Sequence, residues 1–387
     1  MTSLLEFSSP PLLLECYLSH LKLNNFRCYV DAELQCDSRP VVLTGPNGAG
    51  KTNVLEAISF LSPGRGLRRA TLSEVSRHRE EGHSWGVMAT VQGIHFSHDL
   101  ATGVEIGQES ERRTIKIDHE VVRSQTSLTE YLNVIWLTPQ MDRLFQEASS
   151  ARRRFLDRLV YALDREHARR LARYEHYFRE RARVLKLGMR DPHWLATLEQ
   201  HMAETGVAIA ASRKNFIEMF FQSQTSSLSH FPKPILQLEG KIEEWLETEP
   251  ALAVEERLTH LLASSRDRDA EIGGASEGPH KSDLKVYFNS QNRPAEQCST
   301  GEQKALLLAI ILTTARLKAY SDQRRPIILL DEVVAHLDEI RRQALFEEIL
   351  SLNMQAWMTG TDSSVFLSMT TKFQHFHIEN AILRPMN

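Results

Sequence analysis

An α/β fold interrupted by a helical insertion is predicted for this chain of 387 residues, and three observations predict it. A short apolar run, Val41-Val42-Leu43, leads into the glycine-rich stretch "TGPNGAGKT", and a helix-spaced segment follows. A second apolar run, "IILL", ends in two carboxylates, Asp331 and Glu332. Between these, near residue 148, the hydrophobic period changes from strand-like to helical and stays so for roughly 120 residues.

Each element can be justified in order. Residues 1–16, "MTSLLEFSSPPLLLEC", lack a positive n-region and a small-residue cleavage site and read as a disordered extension or a misplaced start codon rather than a signal peptide. "LSHLKLNNF", "YVDAELQC" and "PVVLTG" are strand-like runs separated by turns, and Val54, Leu55, Ile58 and Leu61 then fall at helical spacing. Residues 83–122 return to β character with regular turn signals, as an antiparallel β subdomain would. From Phe155 through Leu159, Leu163, Leu171, Tyr174 and Phe178 to Leu185, apolar residues recur at helical spacing. Gly188 and Pro192 break that run, and Leu195, Leu198, Met202, Ile209, Phe216 and Phe220 mark a second. Two helices with a short break predict an antiparallel, short coiled-coil arm. A third helix around "VEERLTHLLASSRDRD", a strand at "LKVYF", a long helix from Gly301 and a buried strand at "IILL" complete the chain. The expected division is an extension (1–16), an N-terminal lobe (17–148), the helical arm (149–271) and a C-terminal lobe (272–387).

Apolar content of 42% and charged content of 25% are ordinary for a globular chain, so a full core can be buried. Four cysteines without CxxC spacing argue against a disulfide framework or a zinc site and for a reduced, cytoplasmic setting. No apolar run approaches the roughly 18 to 20 residues that cross a bilayer. The net charge of −4 does not by itself announce a nucleic-acid partner. From Arg152 to Arg190, however, thirteen Lys/Arg stand against five Asp/Glu. That excess suits either a solvated helix face or a polyanion.

Three motifs carry chemistry. Gly45, Pro46, Asn47, Gly48, Ala49, Gly50, Lys51, Thr52 and Asn53 span the phosphate-loop pattern in the required strand–loop–helix setting. Such a loop points backbone N–H groups and a helix N-terminus at phosphates, Lys51 at the β/γ oxygens, and the Thr52 hydroxyl at Mg²⁺. "IILLDE" is the matching carboxylate strand: Asp331 for Mg²⁺, Glu332 to polarise an attacking water. In "CSTGEQ", Ser299 and Gly301 open a long apolar helix 28 residues before that strand and form a second anion site. A loop of this kind normally serves the nucleotide of a second subunit, so ATP would join a homodimer.

In this order the motifs resemble the ABC ATPases, with "CSTGEQ" standing at the signature and "AHLD" (335–338) at the D-loop. Within that class the chain resembles the RecF family of bacterial recombination mediators. "LKLNNFRCY", "SPGRGLRRA", "WLTPQMDRLFQEASSARRRFLD" and "GPHKSDL" carry the resemblance, from residue 17 to about 370. Ala148-Ser149 stands where the family commonly has Gly-Pro, and the first sixteen residues match nothing.

The resemblance implies an ABC-type P-loop ATPase head with ATP and Mg²⁺ as cofactors. It implies DNA (single-stranded, gapped and duplex), recombination mediator proteins and RecA as partners, and roles in repair, replication and the SOS response. It places Arg27 near the nucleotide and Gln140, as the Q-loop, near Mg²⁺. Arg27 could equally pair with an acid, and Gln140 could cap a turn. His280 and Asp283 could be a structural pair. Arg152 and Arg153, set against a helix dipole, suit an anion or a salt-bridged face. No switch histidine stands after the carboxylate strand; "MTGTD" occupies that place, so Thr361 or Asp362 would contact the water weakly and hydrolysis would be slow. A transporter ATPase or an SMC-like tether is the alternative assembly.

Overall fold

Strict alternation of buried and half-buried residues in "WGVMATVQG" makes β4 (Trp85–Gly93) a strand with one face in the core. In this computed structural model, which describes residues 16–77, 84–93, 95–104, 112–188, 191–224, 230–288, 292–321, 325–334 and 337–386, that strand is central to an antiparallel sheet. Its order is β2-β1-β4-β5-β6-β7. β1 (Cys16–Phe26) and β2 (Tyr29–Gln35) form a tight hairpin closed by Phe26 opposite Tyr29. β5 (Ser97–Val104), β6 (Thr114–Ile117) and β7 (Glu120–Val122) continue the meander. The opening hairpin joins the meander because β1 pairs with both β2 and β4, with Leu21 opposite Ala89 and Leu23 opposite Val87.

The second sheet is mainly parallel, in the order β15-β14-β3-β13-β12-β8. Its strands are β3 (Val41–Thr44), β8 (Val134–Leu137), β12 (Ile327–Leu330), β13 (Ala356–Gly360), β14 (Gln374–Glu379) and an antiparallel edge, β15 (Ile382–Met386). β3, β8, β12 and β13 are buried throughout, as two covered faces require. α1 (Lys51–Ser59) follows β3, and the short α2 (Leu72–Val75) begins at a Thr71/Glu74 capping box. A core of Leu21, Leu23, Phe26, Val54, Ile58, Phe60 and Trp85 lies between the elements of this unit.

The chain divides into two compact units, with cuts after Met141 and after Ile310. The second unit holds α3 (Ser149–Leu163), α4 (His167–Lys186), α5 (Pro192–Ser223), α6 (Lys241–Thr248), α7 (Ala251–Ser264) and α8 (Arg266–Ile272). It also holds a three-stranded sheet of β9 (Pro234–Glu239), β10 (Asp283–Phe288) and β11 (Arg293–Pro294), and the start of α9 (Thr300–Ser321).

Two features depart from the sequence pattern. The helical run expected from Phe155 to Leu185 breaks at Asp164, whose carboxylate accepts from the Glu166 N–H at 3.0 Å, the Ser212 hydroxyl at 2.8 Å and Arg170. Such local side-chain acceptance competes with helix continuation. Strand β9, unforeseen, pairs with β10 from Asp283 opposite Glu239 to Phe288 opposite Pro234.

α4 packs on α5, and Val184, Leu185, Leu195 and Leu198 close the end of that hairpin. Polar groups lock the rest. Arg181, 1% exposed, bonds Glu199 at 3.0 Å and Asp269 at 2.8 Å. Arg213 grips Asp157 through two bonds of 2.8 and 2.9 Å. Residues 1–15, and Ala335 and His336 of the expected D-loop, lie outside the described residues. Among the described residues, no helix is long and apolar enough to cross a membrane, and no disulfide joins any of the four cysteines.

Candidate nucleotide site

The site forms where parallel strands end, the expected place for ligands in such sheets. Thr44 at the end of β3 lies opposite Gly360 of β13 and His377 of β14, and Leu330 of β12 lies opposite Leu137 of β8. The phosphate loop, Asp331 and Glu332, "TGTD" and Gln140 therefore all lie at the carboxyl ends of the parallel strands.

Two glycines are dictated by space as well as conformation. Gly45 has φ 146°, and a Cβ there would stand 2.1 Å from the Ile378 carbonyl oxygen. Gly50 caps α1 at φ 114°, and its Cβ would stand 2.6 Å from the Tyr29 hydroxyl. That hydroxyl donates to the Gly50 carbonyl at 3.0 Å, so the β1–β2 hairpin braces the loop. Lys51 curls over the loop, Nζ donating to the Gly45 carbonyl at 2.7 Å and the Pro46 carbonyl at 2.9 Å. Burial pulls the Lys51 ammonium below its usual range, while Glu332 and Asp331 oppose that pull.

A chain of bonds ties the loop to the carboxylates. Thr52 Oγ1 donates to Asp331 Oδ1 at 2.9 Å, and Thr359 Oγ1 donates to the same oxygen at 2.8 Å. Thr359 Oγ1 in turn accepts from the Glu332 N–H at 2.8 Å. Burial pushes the Asp331 carboxyl up; the Thr359 and Thr52 hydroxyls hold it back. Glu332 itself sits at φ 52°, a backbone state that non-glycine residues adopt at a cost of about 1–2 kcal/mol. Its bond to Thr359 fixes that strained turn. A hydroxyl and a carboxylate converging in this way are hard oxygen donors that suit Mg²⁺ completed by phosphate and water oxygens. Among the described residues, no group of three His, Cys, Asp or Glu forms a metal cage, which such a shared site does not need.

The other expected residues fall in separate places. Gln140 is exposed on the turn Pro139–Arg143 and makes no hydrogen bond to Thr52 or Asp331 among the described residues. Arg27, at φ 53°, reaches the loop's helix rather than the loop. Its guanidinium grips Glu56 of α1 at 2.9 and 2.6 Å and donates to the Glu74 carbonyl at 2.7 Å. Arg68 completes that cluster, donating to Asn53 Oδ1 at 2.9 Å and to Glu56 at 3.2 Å.

Ser299 and Gly301 lie in the second unit, both exposed. The Ser299 N–H and hydroxyl donate to Glu302 at 2.8 and 2.9 Å, and the Glu302 N–H returns a bond at 3.3 Å, a reciprocal cap that starts α9. The Ser299 bonds hold the Glu302 carboxyl below its usual range.

Sequence reasoning missed Thr359, Glu56 and Arg68. Thr359 is the correction to the reading of "MTGTD": Thr361 and Asp362 are exposed, and Asp362 accepts from the Ser364 N–H at 2.8 Å in a turn of its own. Only the pairing of Leu330 with Met358 brings Thr359 beside Asp331, and sheet register is not written in the motif.

Arg152 and Arg153 are also occupied. Arg152 holds Asp283 through two bonds of 2.7 Å, and Arg153 donates to the Ser282 carbonyl at 2.6 Å. His280 accepts from the Tyr174 hydroxyl at 2.8 Å and donates to the Ala275 carbonyl at 2.9 Å. "GPHKSDL" thus organises the second unit.

A glycine phosphate loop, a carboxylate strand two places away in a parallel sheet, and a flanking antiparallel subdomain define an ABC-type P-loop ATPase head. The model of the RecF/RecN/SMC N terminal domain matches residues 17–384. The chain is 45% identical over 363 residues to the DNA replication and repair protein RecF of Rhizobium johnstonii, covering 93% of this chain and 96% of that one. It is 43% identical over 373 residues to the protein of the same name from Mesorhizobium japonicum, covering 96% and 98%. Its fold matches the recombination mediator protein RecF-ATPrS of the RecFOR pathway with a TM-score of 0.82 at 22% identity, over 97% of this chain and 99% of that one. The chain belongs to the RecF family.

Proposed function

We propose that this chain is an ATP-dependent DNA clamp of recombinational and replication-gap repair. One observation carries the reading: the chain of bonds from Thr52 through Asp331 and Thr359 to Glu332. It couples the state of the phosphate loop to the backbone of the candidate base. ATP would lie on the backbone N–H groups of Gly48 to Thr52, with Lys51 moving from the Gly45 and Pro46 carbonyls to the phosphates. Thr52 and Asp331 would hold Mg²⁺, which supplies charge neutralisation on the phosphates when bound, and Gln140 would have to turn in from its exposed turn to join them.

In hydrolysis, Glu332 takes a proton from water as its oxygen bonds to the γ-phosphorus and the bond to the ADP oxygen breaks. The exposed Ser299 and Gly301 would face the nucleotide of a second copy, so ATP favours a homodimer. Ser299 must first give up Glu302, which makes the reciprocal cap a threshold to closure and suits slow hydrolysis.

The dimer binds single-stranded, gapped and duplex DNA by its phosphates, with affinity falling steeply in salt. Exposed Arg65 and Arg69, and Arg169, Arg173, Arg179 and Arg183 of α4, remain candidates for that contact, whereas Arg152 is engaged internally by Asp283. Relatives in the family are named for replication and repair, and recombination mediators and RecA are the partners this role calls for.

The test is fluorescence anisotropy of a labelled gapped duplex with the Glu332→Gln variant, in ATP and then in ADP. Tight, salt-sensitive binding in ATP that is lost in ADP is expected. Equal binding in both nucleotides would remove the clamp.

A further inference from the structure

In the second unit, α3, α4, α5 and the Pro279-His280 turn line an open cavity of about 310 Å³, within the size range of small-ligand sites, about 300–1,000 Å³. Its aromatic wall is tied together by ring contacts and hydrogen bonds. Tyr174 and His280 stack with centroids 6.0 Å apart, Phe178 lies 4.9 Å from the His280 ring, and both His280 nitrogens are bonded within the unit. Burial lowers the His280 pKa, so this wall is neutral.

The charges lie around it: Arg153, Arg154, Arg179 and Arg213 against Asp157 and Glu175, two positive charges in excess. Asp157 is already spent, gripped by Arg213 and bonded by His167 at 2.9 Å. Arg153 is the telling member. It is half-buried, yet its hydrogen bonds go to neutral oxygens, Ser149 Oγ at 3.0 Å and the Ser282 carbonyl, with the Asp283 and Asp157 carboxylates acting on it only from a distance. Neighbouring Arg152 has a carboxylate held at two points. A cation withdrawn from water with no directly bonded counter-ion is costly unless an anion joins it. Arg179 likewise donates to a carbonyl, that of Glu175, at 3.1 Å.

We propose that this cavity takes one nucleotide of single-stranded DNA, its phosphate among Arg153, Arg154 and Arg179 and its base against Phe178 and Pro279. The inference rests on the reading of the chain as a DNA-binding protein. Single-stranded DNA is favoured over an acidic peptide because the cations continue from the cavity rim along one face of α4. Arg179, Arg183 and Lys186 are exposed there at helical spacing, over about 10 Å of helix. The flat aromatic floor is sequence-tolerant, since every base has a π-face.

The test uses the full chain and a labelled oligothymidine, by anisotropy, with Phe178→Ala, Phe178→Tyr and Arg154→Glu. ATP-dependent binding to a blunt duplex is followed on the same samples, and a melting curve checks each fold. Phe178→Ala and Arg154→Glu should each weaken oligothymidine binding at least about tenfold, Phe178→Tyr should restore it, and duplex binding should stay. Unchanged oligothymidine affinity in Arg154→Glu and Phe178→Ala, with duplex binding intact, would overturn the cavity while leaving the clamp. Loss of all DNA binding by the unaltered chain would overturn both. Capture of a glutamate-rich peptide but no oligothymidine would overturn the nucleotide in favour of a protein partner.

Discussion

Replacing Thr359 by Val keeps the shape of the side chain and removes one hydroxyl. That hydroxyl donates to Asp331 Oδ1 and accepts from the Glu332 N–H, each at 2.8 Å, and the residue is fully buried. A bond to a carboxylate contributes about 1.5–3 kcal/mol, and a buried N–H left without a partner costs about 1–3 kcal/mol. A loss of about 3 kcal/mol in denaturant unfolding follows.

If about half of that appears in the barrier to hydrolysis, through a loosened Glu332, turnover falls about tenfold. ATP affinity, set by Lys51 and the loop, changes much less. The pH dependence has a definite sign. Asp331 is already raised by burial, and losing a donor raises it further. The stability deficit is therefore full at neutral pH, where the carboxylate is ionised, and shrinks as falling pH protonates it. Thr359→Ser retains the bonds and should restore turnover. Measured side by side, a Thr359→Val chain with normal stability and normal turnover would refute the coupling.

Three further outcomes are expected. Arg27→Ala leaves fully buried Glu56 with Arg68 alone and should cost about 3–5 kcal/mol in chemical unfolding, with Arg27→Lys intermediate. Gly50→Ala forces a methyl toward the Tyr29 hydroxyl at φ 114°, so ATP affinity should fall at least about tenfold in a fluorescent-nucleotide titration. Asp157 is pushed up by burial, but Arg213 and His167 outweigh that and hold it at about 2. Its contribution is present above the ordinary carboxylate value, about 3.9, and is lost as pH falls toward 2. Asp157→Asn should therefore lower stability at neutral pH and flatten the acid limb of the unfolding curve.

Motifs with fixed local spacing were readable from the sequence. Gly45 to Thr52 and Asp331-Glu332 need only their neighbours to declare a strand, a loop and a helix. Partnerships across hundreds of positions were not. Thr359 reaches Asp331 through strand register, Arg27 reaches Glu56 through the angle of a hairpin, and β9 becomes a strand because β10 offers it an edge. The helical break at Asp164 was hidden for another reason. Apolar spacing runs straight through it, and only the carboxylate's capture of the Glu166 N–H, Arg170 and Ser212 ends the helix. The basic excess between Arg152 and Arg190 suits a solvated face or a polyanion in the sequence, whereas several of its arginines are internal ties.

The placement of β3 bears on how the chain is made. Its neighbours in the sheet are β13 and β14, which lie near the other end of the sequence. At synthesis rates of about 5–20 residues per second, the phosphate-loop strand waits tens of seconds for them. Residues 142–310 are complete well before then and can fold as a unit while β3 and β8 are still unpaired. A chain halted before Ala356 carries the whole glycine motif and yet has no sheet on which to hold it. β8 can by then pair with β12, but β3 stands open to whatever meets the nascent chain, so the last segment to leave the ribosome decides whether a nucleotide site exists at all.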